Sequence, residues 1–125
     1  ELAEHFYEYA KNRFASYPHV QLVLGDSGKV LGQVLGPLSE PCLFWLDGHY
    51  SGGPSAKGDK DTPILQELHH IFNHPVQNHV LLIDDARLFT GEHDYPALEQ
   101  LEQLIRTYRP DFVIENRDDI IRVHR

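Results

Sequence analysis

The sequence predicts an α/β fold, with a mostly parallel sheet sandwiched by helices. Short apolar runs at 20–24, 42–46 and 80–83 alternate with segments whose apolar residues recur at helical spacing. Such alternation is typical of parallel strands joined by helices. Two further runs, 112–114 and 120–123, flank a short polar turn and predict an antiparallel β-hairpin at one sheet edge. We therefore expect the order α-β-α-β-α-β-α-β-β in a single domain spanning residues 1–125.

Composition narrows the class of protein. The 125 residues suit one domain, and the 41% of hydrophobic residues is ordinary for a globular protein without a membrane partner. The formal net charge of −8 argues against a nucleic-acid partner, which would need a basic face. Cys42 is the only cysteine, so no disulfide framework is expected and a cytoplasmic location fits. Methionine is absent, so we expect the numbering to begin inside a longer protein.

The N-terminal elements follow from periodicity and capping residues. Apolar residues at helical spacing predict a helix over 1–17 that Pro18 ends. The strand at 20–24 leads into a Gly25–Gly28 turn, where Asp26 or Ser27 can cap the next helix. An acid here could also accept a hydrogen bond from an amine or hydroxyl of a cofactor, although capping alone explains it.

The central run 42–46 is continuously apolar, which predicts a strand buried on both faces. A loop without periodicity follows from 48 to 61, and Thr62-Pro63 begins a helix in the usual way. The run 80–83 predicts another buried strand, and 95–108 predicts a helix with leucines facing inward. We expect the histidines around that first helix to be surface residues: His69, His70, His74 and His79.

Carboxylates follow two of the predicted strands, where an open α/β sheet places its chemistry. Asp47 ends one strand, and Asp84 and Asp85 end the other. Neighbouring strand ends lie about 5 Å apart, and crowded carboxylates repel unless they share a cation or a proton. Oxygen ligands favour Mg²⁺ or Mn²⁺, so we expect these three aspartates to bind one ion. The alternative is that they serve only as turn and surface residues.

His49 lies two residues after Asp47 in a loop that continues through Tyr50, Ser51, Gly52 and Gly53. A histidine there can act as a general base near neutral pH. It can also be a metal ligand or an ordinary polar loop residue, and the sequence leaves these three interpretations open.

These features together resemble class I S-adenosylmethionine-dependent methyltransferases, which have a Rossmann-like sheet. The Gly25-Asp26-Ser27 turn is similar to the turn that approaches the adenine, and Glu1-Leu2 resembles the end of the second strand, whose acid binds the ribose. Leu46-Asp47-Gly48 with Ile83-Asp84-Asp85 resembles the metal-dependent O-methyltransferases, especially those acting on sugars and natural products. The resemblance implies S-adenosylmethionine bound by Glu1, Asp26 and Ser27, a Mg²⁺ site at the aspartates, and a small-molecule or sugar acceptor.

One part of the family pattern is missing from this sequence. The first strand and its glycine-rich loop, which hold the methionine part of the cofactor, would precede residue 1. The resemblance therefore implies the C-terminal portion of an enzyme, with weak cofactor binding and an uncovered strand edge that favours self-association. Two rival interpretations are a metal-dependent hydrolase or phosphoryl-transfer enzyme, which lacks a phosphate-binding glycine loop here, and a non-catalytic truncated domain.

Overall fold

The computed structural model describes residues 1–49 and 57–125, and it has an α/β architecture. Its elements among these residues, in chain order, are α1 (Glu4–Arg13), α2 (Ser27–Leu35), β1 (Leu43–Leu46), α3 (Ile64–Phe72), β2 (Val80–Ile83), α4 (Leu98–Tyr108), β3 (Val113–Arg117) and β4 (Ile120–His124). A single 3₁₀ turn at Ala86–Leu88 follows β2. No helix within this described part has the length and apolar character needed to cross a membrane.

The described strands form a four-stranded mixed sheet in the order β1-β2-β4-β3. β1 and β2 are parallel, whereas β4 runs antiparallel to both of its neighbours. The C-terminal hairpin is confirmed, but the expectation of a mostly parallel sheet is wrong for these residues, because one pairing of three is parallel. Asp118 and Asp119 adopt left-handed φ values of 57° and 62°, which suit a tight hairpin turn, and the returning strand β4 lies against β2.

The expected strand at 20–24 does not form part of this sheet. Among the described backbone bonds between distant parts of the chain, those of this segment involve Glu1 only. The Glu1 amino group donates to the Val23 carbonyl at 2.9 Å, and the Gly25 amide donates to the Glu1 carbonyl at 2.9 Å. This spacing is one rung of a parallel ladder centred on Leu24. The segment is extended next to Glu1, but one rung does not make a strand.

The strand β1 is buried on one face only, so the expectation of burial on both faces is wrong. Leu46 packs in the core, whereas Leu43 and Trp45 are 65% and 54% exposed. β1 is an edge strand, and the core lies on the face that carries Leu46. On that face the strands pack against apolar residues of α3 and α4, in a cluster that includes Leu68, Ile71, Leu81, Ile83, Leu101, Ile105, Ile121 and Val123.

Two of the histidines expected on the surface are buried, which corrects that expectation. His79 is 2% exposed, and its Nδ1 accepts the Cys42 amide hydrogen at 3.0 Å. Its Nε2 lies 3.1 Å from Nδ1 of His74, whose Nε2 is 3.0 Å from the Leu35 carbonyl oxygen. The chain of bonds links the start of β1 and the end of α2, and each ring has a specific partner that a simple surface position would not supply.

Candidate functional site

The end of the parallel β1–β2 pair brings Asp47, His49 and Asp85 together. The Asp84 amide donates to the Leu46 carbonyl at 3.0 Å, which extends the ladder by one residue and aligns the two strand ends. Nδ1 of His49 lies 3.4 Å from Oδ1 of Asp47 and 3.3 Å from Oδ2 of Asp85. One potential ligand atom of each residue lies within 4.8 Å of the others. The predicted convergence of the two acidic strand ends is therefore present in the structure for Asp47 and Asp85.

Asp84 plays a different part in the geometry. Its Oδ1 accepts the Asp85 amide hydrogen at 2.9 Å, which stabilises the turn after β2. Among the described residues, the group of three potential ligands contains His49 and does not contain Asp84. The assignment of Asp84 as a metal ligand stays a prediction, and the imidazole of His49 is the nearer candidate.

The hairpin turn fixes the loop that carries Asp85. Asp85 has a left-handed φ of 56°, and its Oδ1 lies 2.8 Å from Nη1 of Arg87. The same guanidinium nitrogen contacts the carboxylate of Asp119. Backbone bonds add to this contact, because the Ala86 amide donates to the Asp119 carbonyl and the Arg87 amide donates to Asp119 Oδ1, each at 2.9 Å. The β3–β4 turn thus orients the Asp85 carboxylate through Arg87.

Thr62 holds the loop after β1 from the other side. Its hydroxyl donates to the Gly48 carbonyl at 3.0 Å and accepts the Ile64 amide hydrogen at 3.3 Å. The helix begins at Ile64 with Pro63 as its N-cap, so the expected helix start at Thr62-Pro63 lies one residue too early, and Thr62 bonds to the Ile64 amide from just before the cap. One hydroxyl joins the first turn of α3 to the residue between Asp47 and His49.

A cavity of about 390 Å³ contains all three residues predicted to bind a cofactor. Glu1, Asp26 and Ser27 line it together with Asp47 and His49. Two of these groups also have local roles: Oδ1 of Asp26 accepts the Gly28 amide hydrogen at 2.9 Å as the cap of α2, and Oε1 of Glu1 accepts the Ala3 amide hydrogen at 2.7 Å. Among the described residues, the hydrogen bonds given for each carboxylate use one oxygen only.

A second opening, of about 560 Å³, also borders His49. Its lining residues include Arg87, Thr90, His93 and Tyr95. Burial raises the pKa of the Tyr95 hydroxyl; a hydrogen bond with Thr62 opposes that rise, and the charge of Asp85 adds to it. Tyr95 is therefore a neutral hydrogen-bonding group at ordinary pH. His49 borders both this opening and the 390 Å³ cavity.

Sequence reasoning missed Glu67, which is 4% exposed. Its Oε2 has no hydrogen-bond partner among the described residues, and Glu67 lines a small cavity together with Asp47, His49 and Tyr95. Burial raises the pKa of the Glu67 carboxyl, a hydrogen bond from Ser27 opposes the rise, and the Asp26 charge adds to it. The signal was available, because Glu67 lies three residues after Ile64 and four before Ile71, on the inward face of α3.

Residues 50–56 of the predicted loop, which include Tyr50, Ser51, Gly52 and Gly53, lie outside the described residues. Comparison of the chain with family models, curated proteins and solved structures gave no match. The function is therefore argued from the geometry of the chain itself.

Proposed function

We propose that this chain forms part of a metal-assisted, S-adenosylmethionine-dependent O-methyltransferase that acts on a hydroxyl of a small molecule or sugar. The observation that carries the proposal is the shared cavity: the residues that the resemblance assigns to the cofactor line the same space as Asp47 and His49. These residues come from distant parts of the sequence. Their presence in the lining of one cavity supports the resemblance.

The Asp47–His49–Asp85 group has a donor set and spacing that suit a small divalent ion. Ligands at right angles around an ion with bonds of 2.0–2.1 Å lie about 3 Å apart. The nitrogen-to-oxygen distances of 3.4 and 3.3 Å are close to that value. Two carboxylates with one imidazole suit Mn²⁺ better than Mg²⁺, because a nitrogen ligand favours transition metals over the hard Mg²⁺ ion. The proposed ligands are therefore Asp47, Asp85 and His49, with Asp84 to be tested separately.

The 390 Å³ cavity suits a nucleoside-type cofactor in size and in polar groups. Its volume of about 390 Å³ falls in the range of small-molecule sites. The carboxylates of Glu1 and Asp26 can accept hydrogen bonds from ribose hydroxyls and an adenine amine. The Ser27 hydroxyl can donate or accept a hydrogen bond. The rung between Glu1 and Leu24 also agrees with the resemblance, in which the end of one strand lies beside the next.

The residues of the chain would divide the reaction as follows. With both groups bound, the metal ion supplies a Lewis acid and the cofactor an electrophilic methyl group. Asp47 and Asp85 would hold the ion, whose positive charge would favour loss of the proton from an acceptor hydroxyl. His49 borders both openings, and the general-base role predicted for it from the sequence is the alternative to the ligand role proposed above. The acceptor lies in the 560 Å³ opening, where Arg87, Thr90 and Tyr95 offer hydrogen bonds.

Isothermal titration with Mn²⁺ and with S-adenosylhomocysteine tests the two binding functions separately. We expect Asp85→Asn to weaken Mn²⁺ binding by at least tenfold, because it removes one charged ligand. Asp111→Asn is the matched control, since Asp111 is exposed and pairs with Arg125. Equal Mn²⁺ affinity in the Asp85→Asn variant and the wild type would refute the metal assignment. If Asp84→Asn weakens binding as much as Asp85→Asn does, Asp84 belongs among the ligands.

A further inference from the structure

The carboxyl group of Glu67 joins two parts of the proposed site. The Ser27 hydroxyl, at the first residue of α2, hydrogen-bonds to it. The Glu67 Oε1 atom also lies 3.4 Å from the position that a Cβ on Gly48 would occupy, so it packs closely against the loop after β1. Glu67 is therefore the side chain that lies between the start of α2 and the loop carrying Asp47 and His49.

The first turn of α2 and the helix α3 approach each other closely at this point. A Cβ on Gly28 would lie 3.1 Å from Cβ of Pro63 and 3.2 Å from Cβ of Gln66. The absence of a side chain at Gly28 lets the helix start come within reach of Glu67. The contact between Ser27 and Glu67 thus belongs to a tightly packed junction of two helices.

Fold stability does not explain a carboxyl group here. The neighbouring inward positions of α3 are Ile64, Leu68 and Ile71, all at most 3% exposed. A buried carboxyl group with one oxygen lacking a partner costs free energy, and an apolar side chain of similar volume is commonly neutral or stabilising in its place. The unpartnered Oε2 therefore indicates that Glu67 serves the site and not the core.

The cavity beside Glu67 connects it to the remaining site residues. It measures about 10 Å³, and its polar lining includes Asp47, His49, Asp84 and Tyr95. A polar space of this size suits a single water molecule with several hydrogen-bond partners. Since Oε2 has no hydrogen-bond partner among the described residues, the bond with Ser27 falls to Oε1, the atom that also lies beside Gly48.

We propose that Glu67 is a positioning residue, which sets the separation between the Asp26–Ser27 side of the 390 Å³ cavity and the Asp47–His49 side. What that cavity binds rests on the proposed function, whereas the positioning itself does not. Residues that orient ligands without touching the bound group typically change affinity by about ten- to a hundredfold when they are lost.

The test compares Glu67→Leu, Glu67→Gln and the exposed control Glu99→Gln. Amide hydrogen exchange and backbone NMR shifts at Gly28 and Gly48 are the direct measurements. We expect Glu67→Leu to shift both resonances and to speed exchange at Gly28 at least tenfold, while core amides of β2 and β4 keep their wild-type rates. Glu67→Gln keeps an oxygen that can accept the Ser27 hydrogen bond, so it should resemble the wild type at both positions, as should Glu99→Gln.

Three results would overturn the proposal: unchanged shifts and exchange at Gly28 and Gly48 in Glu67→Leu, an equal effect of Glu67→Gln, or failure of Glu67→Leu to fold, which would make Glu67 a residue needed for stability. Affinity for S-adenosylhomocysteine is the second measurement, with a tenfold or greater loss expected for Glu67→Leu. If the wild type binds neither Mn²⁺ nor S-adenosylhomocysteine, the proposed function fails, and the exchange data alone decide the role of Glu67.

Discussion

The buried His74–His79 pair predicts that this protein loses stability in mild acid. The Cys42 amide donates to Nδ1 of His79, so the hydrogen of the neutral His79 ring is on Nε2 and is donated to His74. A second proton on His79 would place a hydrogen on Nδ1, facing the Cys42 amide hydrogen. The hydrogen bonds around His79 therefore accept only its neutral form.

The size of the effect follows from the shifted pKa of His79. Burial lowers the pKa of His79 below its ordinary value of 6.5, and electrostatic interactions with His74 and Arg109 lower it further. Above pH 6.5 both the folded and the unfolded chain have a neutral ring, so His79 adds no pH dependence. As the pH falls from 6.5 toward the lower folded pKa, the unfolded chain binds a proton that the folded chain does not. The free energy of unfolding then falls by up to about 1.4 kcal/mol per pH unit.

Urea denaturation between pH 7.5 and 5.0 measures this slope. With an m-value of about 1–3 kcal/mol/M, the wild-type midpoint should fall by roughly 0.5–1.4 M per pH unit below pH 6.5 on account of His79. His79→Phe should be less stable by about 1–3 kcal/mol at pH 7.5, because the Cys42 amide loses its acceptor, but it should lack this part of the slope. His5→Gln, at an exposed position, is the matched control. Parallel curves for the wild type and His79→Phe would refute the reasoning.

Three further substitutions test the fold around the site by urea denaturation at pH 7.5. Gly25→Ala should lower the free energy of unfolding by about 1–3 kcal/mol, since Gly25 has a φ of 146° and an added Cβ would lie 2.8 Å from Val30 Cγ1. Gly36→Ala, which makes no such contact, should lower it much less. Arg109→Met should cost about 1–3 kcal/mol, because the guanidinium donates to the Phe72 carbonyl at 3.0 Å and the Tyr108 carbonyl at 2.8 Å, and a variant as stable as the wild type would contradict this. Leu68→Ala should cost about 2–5 kcal/mol by leaving a cavity at a fully buried position, whereas the exposed Leu65→Ala should cost far less.

The elements that the sequence could predict are those with strong local signals. The apolar runs at β1 and β2, the hairpin of β3 and β4, and the cap at Asp26 were all expected, since each depends on residues close together in the chain. The strand at 20–24 was not obtained, because an extended segment becomes a strand only if a partner is available, and here Glu1 supplies a single rung. The prediction that β1 is buried on both faces was wrong for a similar reason, since a run of apolar residues does not reveal which strand lies at the edge of the sheet.

Some residues of the candidate site could be predicted from local sequence signals, and others could not. The convergence of Asp47 and Asp85 was predictable, because acids at the ends of two neighbouring parallel strands must meet at one sheet edge. The inclusion of His49 depends on the path of a loop, and Glu67 depends on how two helices pack. Neither property is encoded in residue spacing alone, although an acid on the apolar face of α3 was a visible clue.

The position of the acidic group is set by the same residues that form the core. Leu46 pairs with Ile83, and both side chains are buried. A slip of one residue in the β1–β2 register would turn one of these side chains to the opposite face, which for β1 is the exposed one. The backbone bonds from Val80 to Cys42 and from Asp84 to Leu46 hold the register at both ends of the pair. Asp47 and Asp85 are therefore brought together by the burial of their neighbours, so the cost of crowding two carboxylates is met by apolar packing that needs no bound ion.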